Sequence, residues 1–175
     1  MLKLMLWTSV LFCLVAGKFK SLNCHSYDQQ LTNFSKCKIK AISRTRNSMD
    51  ITLDILRTIT PYPIAKMAFF KRANGWRPFL YDFSVDICKF LENPQHIIAR
   101  LAFEIVKPYT NVNHSCPYHA GTSIIVKNFE FNVDAFRSRF PIENGEYAVS
   151  VSFVVQNKVK ISINGSINHF NYKET

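Results

Sequence analysis

Residues 145–167 read Gly145-Glu146-Tyr147-Ala148-Val149-Ser150-Val151-Ser152-Phe153-Val154-Val155-Gln156-Asn157-Lys158-Val159-Lys160-Ile161-Ser162-Ile163-Asn164-Gly165-Ser166-Ile167. Tyr147, Val149, Val151, Phe153 and Val155 recur at every second position, and so do Val159, Ile161 and Ile163, with Ile167 beyond. Lys160, Ser162, Asn164 and Ser166 take the opposite positions of the second run. A strand turns successive side chains to opposite faces, so this period of two predicts two strands, each with one face on a core and one in water. Gln156-Asn157-Lys158 predicts the turn that joins them. Asn164-Gly165 stays inside the second strand, where the glycine would mark a bulge.

The same alternation extends outward. Met49, Ile51, Leu53 and Ile55 are separated by Asp50, Thr52 and Asp54, and Phe79, Tyr81, Phe83, Val85 and Ile87 form another stripe. Asn74-Gly75 suits a type I′ turn, joining a strand near Met67–Arg72 to the one at Phe79–Ile87. Ile142-Glu143-Asn144-Gly145 predicts a further turn. Seven or eight short antiparallel strands with turn signals predict an all-β fold, a β-sandwich. One segment breaks the pattern. Asn93-Pro94 reads as an N-cap followed by a proline at the first helical position. Ile97, Ile98, Leu101, Ala102 and Ile105 then share one helical face until Lys107-Pro108. One amphipathic helix is therefore expected between Cys88 and Cys116.

The N-terminus predicts the compartment. After Lys3, residues Leu4 to Ala16 are almost wholly apolar. They span about 20 Å as a helix, short of the roughly 30 Å of a bilayer core. Small residues at Val15-Ala16-Gly17 offer a cleavage site. Residues 1–17 are thus expected to be a cleaved signal peptide and 18–175 a single secreted, extracellular domain. No later stretch predicts an integral membrane protein. Four cysteines remain after cleavage, and an even count in a secreted chain reads as two disulfides. Three pairings exist; Cys24–Cys37 and Cys88–Cys116 each close a local loop. Asn33, Asn113 and Asn164 begin glycosylation sequons.

Function classes narrow by what the sequence lacks. No nucleophile elbow, zinc-helix motif or phosphate-binding glycine loop is present, so a non-enzymatic protein without a cofactor is expected. His114, Cys116 and His119 lie close, but no four-ligand set surrounds them, and no metal is expected. The formal net charge of +10 favours anionic partners. A secreted chain without an aromatic RNP-like motif does not predict nucleic acid among them. Lys36, Lys38 and Lys40 alternate along one strand, with Arg44 and Arg46 beyond. They read as a solvated edge or as a patch for anionic headgroups or an extracellular receptor.

Hydrophobic residues make up 47% of the 175-residue chain, and 15 are phenylalanine. That aromatic load must be buried against itself or against something apolar. If the two sheets part at one end, their inner faces line an apolar cavity, which would hold a hydrocarbon rather than stay empty. The expected lining is Phe69, Tyr81, Phe83, Val151 and Phe153, with Ile98 and Leu101 at the mouth. A one-residue slip of register would invert any strand's share of that set.

Two strings, Lys71-Arg72-Ala73-Asn74-Gly75-Trp76-Arg77-Pro78-Phe79-Leu80-Tyr81 with Val85-Asp86-Ile87-Cys88-Lys89-Phe90-Leu91, and Asn113-His114-Ser115-Cys116-Pro117-Tyr118, resemble a family of small secreted insect proteins of unknown function, expanded in flies. That family is regarded as akin to the ML lipid-recognition superfamily, which includes the GM2-ganglioside activator and sterol-binding secreted proteins. Cys116-Pro117-Tyr118, Gly145-Glu146-Tyr147 and the Val159–Ile167 strand occupy places found in the activator. The resemblance implies an immunoglobulin-like sandwich with an apolar cavity, and a link of some relatives to gustatory detection of pheromones. ML proteins commonly tie their first cysteine to one in the last strand; this chain has none after Cys116, so Cys24 pairs elsewhere, most simply with Cys37. The function expected is a binding protein for a lipid, sterol or pheromone-like hydrocarbon. The alternative is a filled-core adhesion or signalling module acting through its basic outer surface.

Overall fold

A computed structural model describes residues 16–60, 62–112, 116–139 and 142–170. The expected signal segment, apart from its last two residues, and the sequon at Asn113 lie outside the described residues. The strands are β1 (Ala16–Ser26), β2 (Thr32–Ala41), β3 (Asn47–Ile55), β4 (Ile64–Ala73), β5 (Gly75–Asp86), β6 (Ser123–Glu130), β7 (Gly145–Val155) and β8 (Lys158–Phe170). All pair antiparallel, in a five-stranded sheet of order β1-β8-β7-β4-β5 and a three-stranded sheet of order β2-β3-β6. The all-β two-sheet architecture is as the alternation predicts. Three short helices accompany it: α1 (Ile87–Glu92), α2 (Ile97–Val106) and α3 (Val133–Arg137). A single 3₁₀ turn at Lys107–Tyr109 follows α2.

The two sheets are tied along one side. Cys24 on β1 is bonded to Cys37 on β2, with Cα atoms 6.1 Å apart, so the cystine joins the edge strands of the two layers. A register shift between Phe19 and Ser21 frees backbone groups on β1. Asn47 of β3 takes them up: Phe19 N–H donates to Asn47 Oδ1 at 2.9 Å, and Asn47 Nδ2 donates to Phe19 O at 2.8 Å. A buried amide satisfied on both sides this way fixes the spacing of the layers at that point.

The packed core sits at one end of the sandwich. Leu31, Leu53, Ile55, Ile59, Tyr118, Val155 and Ile161 form one buried cluster, with Ile55 only 1% exposed. Burial also pushes the Tyr118 phenol above its ordinary value. A second, aromatic group closes the other end: Phe19 packs on Phe129 and Phe131, and Phe129 on Tyr109.

The turns differ from expectation in an instructive way. At Asn74-Gly75 the strands pair Arg72 with Trp76 and Ala73 with Gly75. That is a three-residue loop, with Gly75 alone at positive φ (97°). The left-handed pair that marks a type I′ turn stands instead at Gln156 (φ 51°) and Asn157 (φ 59°), between the paired Val155 and Lys158. Gly165 lies inside β8 as expected, but the bulge is on the neighbouring β1.

The helical segment also begins differently. Asp86 accepts from the backbone N–H of Cys88 and Lys89, both at 3.1 Å, so the chain turns helical at Ile87 rather than continuing the stripe as strand. Asn93 is the C-cap of α1, not an N-cap. The amphipathic α2 starts at Ile97 under a different cap, His96, whose Nδ1 accepts from Ala99 N–H at 3.2 Å. Ile97 is consequently at the first helical position and 62% exposed rather than buried, and Ala99 is the buried residue of the helix.

Candidate functional site

Strand register fixes which side chains face the other layer. Tyr147, Val149, Val151 and Phe153 of β7 stand opposite Lys71, Phe69, Met67 and Ala65 of β4. They also stand opposite Ile167, Gly165, Ile163 and Ile161 of β8. Phe83 and Val85 of β5 pair with Met67 and Ala65, so they share this face. It is the continuous inner surface of the five-stranded sheet.

Burial along this surface runs opposite to that of a filled sandwich. Its ends are closed: Val155 and Ile161 at one, Tyr147 and Phe19 at the other, are buried. Its middle is only half-buried. Met67, Phe69, Phe83, Val149, Val151 and Ile163 all keep contact with solvent. The cause lies in the layer sizes. At about 4.8 Å per strand, three strands cover roughly 14 Å of a face roughly 24 Å wide. The excess is covered not by strand but by the α1–α2 segment.

That cover is attached at identifiable points. Cys88 in α1 is bonded to Cys116, with Cα atoms 5.6 Å apart. His96 stacks on Phe83 of β5 at 4.8 Å between ring centroids, and Phe90 of α1 meets Phe103 of α2 edge-on at 5.8 Å. Beyond the 3₁₀ turn, Thr110 bridges to Val126 of β6. Asn111 adds a reciprocal side-chain pair, accepting from Ile125 N–H and donating to Ser123 O, both at 2.8 Å. Ile98 and Leu101 of α2 are half-buried, as are Ala102, Phe103 and Ile105. An amphipathic helix that left its apolar stripe half-covered against a filled layer would forfeit burial for nothing.

At the opposite end of β4 and β5 the register slips. Ala68 pairs with Asp82 but Phe70 with Pro78, so three residues of β5 oppose the single Phe69. Leu80 absorbs the excess at φ 60° and points out, 45% exposed. Phe79 and Tyr81 are thereby crowded beside Phe69. The bulge opens a pocket of about 20 Å³ lined by Phe69, Phe70, Phe79, Leu80, Tyr81, Phe136, Ile142 and Tyr147. Tyr147 is itself held by a corner: its hydroxyl accepts from Glu143 N–H at 3.1 Å and donates to Glu143 O at 3.0 Å. Lys71 reaches the same place. Its Nζ lies 5.9 Å from both the Phe79 and Tyr147 ring centroids and 2.8 Å from Glu143 Oε2. The Glu143 hydrogen bond holds the ammonium above its ordinary value, against the opposing effect of desolvation, and Lys71 in turn holds the Glu143 carboxyl below its own.

Phe69, Tyr81, Phe83, Val151 and Phe153, expected from alternation, all lie on this sheet, and all are half-buried. Phe69 and Tyr81 meet at the pocket; Val151 and Phe153 lie one and two steps along β7; Phe83 sits under the cap of α2. Four residues of this surface stand outside that expected set: Met67, Phe79, Tyr147 and Lys71. Met67 is within reach of the period-two rule, and Phe79 and Tyr147 begin two of the apolar stripes. Lys71 carries no apolar signal, because a charged residue at an inward position runs against alternation.

Elsewhere, Lys36, Lys38 and Lys40 are exposed on β2, an edge strand, with Lys36 3.8 Å from Asp50. Asn33 and Asn164 are exposed. Among the described residues no group of three or more His, Cys, Asp or Glu side chains is placed to hold a metal, and no helix is long and apolar enough to cross a membrane.

Residues 65–149 match the model of a family described as "Protein of unknown function (DUF1091)". The strings at 71–91 and 113–118 fall inside that span, so the family resemblance read from them is borne out. No curated protein matches the sequence. Among solved structures, one similar chain is a Niemann-Pick type C2 protein from the Japanese carpenter ant, at 15% identity and a TM-score of 0.34, covering 88% of this chain and 93% of that one.

Proposed function

We propose that this chain, which resembles that family of unknown function, is a secreted, non-enzymatic binding protein that holds a hydrophobic ligand between its two β-layers. The ligand class is a lipid, a sterol or a pheromone-like hydrocarbon, and the link of some insect relatives to gustatory detection of pheromones gives such a carrier a place in chemical detection. One observation carries the reading: the inner apolar surface is buried at its ends and half-buried in its middle. Folding gains roughly 25 cal/mol for each Å² of apolar surface removed from water, so half-buried side chains between two layers leave stabilisation unused. A hydrocarbon guest recovers it at about 0.8 kcal/mol per CH₂, or roughly 10 kcal/mol for a sixteen-carbon chain before the entropy of binding is subtracted. The pocket at the bulged end, about 20 Å³, has room for about one water, so such a chain lies instead along the half-buried middle of the face, reached by parting the α1–α2 cover from the sheet.

Secretion, signal cleavage at residue 17 and glycosylation of Asn33, Asn113 and Asn164 belong to the same reading, which the two disulfides support. The test is a native mass spectrum of protein collected from its own secretory route. A co-purifying mass of lipid size, released by organic solvent, is expected. An apo mass alone overturns the carrier.

A second reading rests on the exposure of Lys36, Lys38 and Lys40 along the edge of β2. A basic stripe there suits an anionic glycan or receptor surface. Reversing the three charges together should then abolish heparin retention and leave uptake of an apolar dye as it was.

A further inference from the structure

We propose that Lys71 selects the ligand's headgroup, and that the class it selects is a long-chain carboxylate: a fatty acid lying along the half-buried inner surface with its carboxylate at the Lys71 ammonium. This rests on the carrier reading above and narrows it. Lys71 occupies an inward position of β4, on the same face as Ala65, Met67 and Phe69 and opposite Tyr147. A cation at the end of an apolar row is costly unless something answers it. Here Nζ stands beside the pocket, 5.9 Å from the centroids of two of the rings that line it, Phe79 and Tyr147. It is ion-paired with Glu143, whose side chain is 83% exposed, whereas that of Lys71 is 32% exposed. The carboxylate is thus the mobile, solvated half of the pair and the ammonium the anchored half. A fatty-acid carboxylate arriving from the pocket can take the place of Glu143 and make the same charge-assisted hydrogen bond. An ester or an alcohol offers no negative charge for that exchange. The hydrogen bond to Glu143 also keeps the ammonium protonated well past neutrality, while a free carboxylic acid is ionised above about pH 5.

The experiment uses the full mature protein, delipidated, with displacement of the uncharged dye N-phenyl-1-naphthylamine at pH 7.5. Palmitic acid and methyl palmitate are compared, and the readout is the ratio of their affinities. The wild type is expected to prefer the acid about ten-fold, the value of one charge-assisted hydrogen bond. Lys71→Met should bring the ratio to within about two-fold of unity, and Lys71→Arg should restore the preference. Glu143→Gln, which removes the internal competitor from an exposed position, should raise the ratio several-fold. A wild-type ratio near one, or a ratio unmoved by both Lys71→Met and Glu143→Gln, overturns the headgroup assignment and leaves the carrier standing. Should the folded wild type bind neither palmitate nor its ester nor the dye, the carrier reading falls and this one with it. If Lys71→Met does not fold, the Glu143→Gln ratio decides alone: no rise overturns the proposal.

Discussion

Two valines on one strand give a controlled test of the unequal burial. Val151 and Val155 both lie on β7, four residues apart, on the same inward face. Val155 is 5% exposed and belongs to the packed cluster with Ile55, Ile161 and Tyr118. Val151, between Met67 and Ile163, is half-buried. Truncation to alanine removes the same two carbons at both positions. For Val155→Ala the transfer loss is about 1.6 kcal/mol, at about 0.8 kcal/mol per carbon. The void left in a closed cluster adds on the order of 1 kcal/mol, for a total of roughly 2–3 kcal/mol. For Val151→Ala part of the transfer loss was never gained, and solvent or neighbouring side chains fill the space, so the cost stays below about 1 kcal/mol. Urea unfolding followed by far-UV circular dichroism measures both in the delipidated protein. In thermal scans of a domain this size the difference amounts to about 5–10 °C for Val155→Ala against under about 4 °C for Val151→Ala. Equal costs at the two positions would mean that the middle of the sandwich is packed as tightly as its end, and the reasoning from half-burial would be refuted.

Removing the Cys88–Cys116 bond, whose cysteines are 28 residues apart, by Cys88→Ala with Cys116→Ala should cost about 3–4 kcal/mol in the chain-entropy account and weaken dye retention. Removing Cys24–Cys37, at a separation of 13, should cost about 3 kcal/mol and leave dye retention intact once the protein is folded; the opposite pattern in dye binding would show that α1–α2 is not the cover. Asp28 is held below its ordinary value of 3.8 chiefly by the hydrogen bond from Lys160, with Arg57 adding attraction against the opposing effect of desolvation. A carboxyl depressed by folding contributes stability that is complete above 3.8 and lost as pH falls through the lower folded value, so Asp28→Asn should flatten the fall of the thermal midpoint between pH 4 and pH 2, and an unchanged acid limb would count against that pair. Replacing Gln156 by Asn together with Asn157 by Gly should raise stability by roughly 0.5–1 kcal/mol in urea, because both positions hold positive φ.

The parts of this fold that sequence discloses are those set by a single local rule. Period two marks β3, β5, β7 and β8 because one face of each is apolar and the other is not. Local loop closure favours the two disulfides that form. The rule fails where a second local interaction outbids it. Asp86 captures two backbone N–H groups and starts α1 inside the Phe79–Ile87 stripe. His96 rather than Asn93 then caps α2, since histidine is a weaker capping signal than Asn-Pro but stands where the chain re-enters helix. β1 escapes alternation because its register shift between Phe19 and Ser21 places Phe19 and Leu22 three residues apart on one face. Asn74-Gly75 has the composition of a type I′ turn, yet that turn occurs at Gln156-Asn157, where the hairpin register of β7 and β8 demands two left-handed residues whatever their identity.

Alternation tells which side of a strand is apolar but not how far away the facing layer stands. That distance follows here from a mismatch no single segment encodes: five strands against three. Two strands' worth of apolar face must be covered by something else, and the longest run between consecutive strands is that from Asp86 to Ser123, between β5 and β6. A strand in that place would have pinned the layers together through a ladder of backbone hydrogen bonds. Helix α2 is backbone-bonded within itself, and its cap His96 meets the sheet by a ring contact on Phe83 rather than by a ladder of backbone hydrogen bonds. The cystines stand at the base of this arrangement, one joining the edge strands of the two layers and one fastening α1 to the segment that precedes β6. Fastened ends with a side-chain contact between them are what the proposed entry of a guest beneath this cover requires. At the bulged end, where the apolar row stops, the chain places a cation paired with a solvated glutamate, which is the arrangement that the proposed selection of a carboxylate requires.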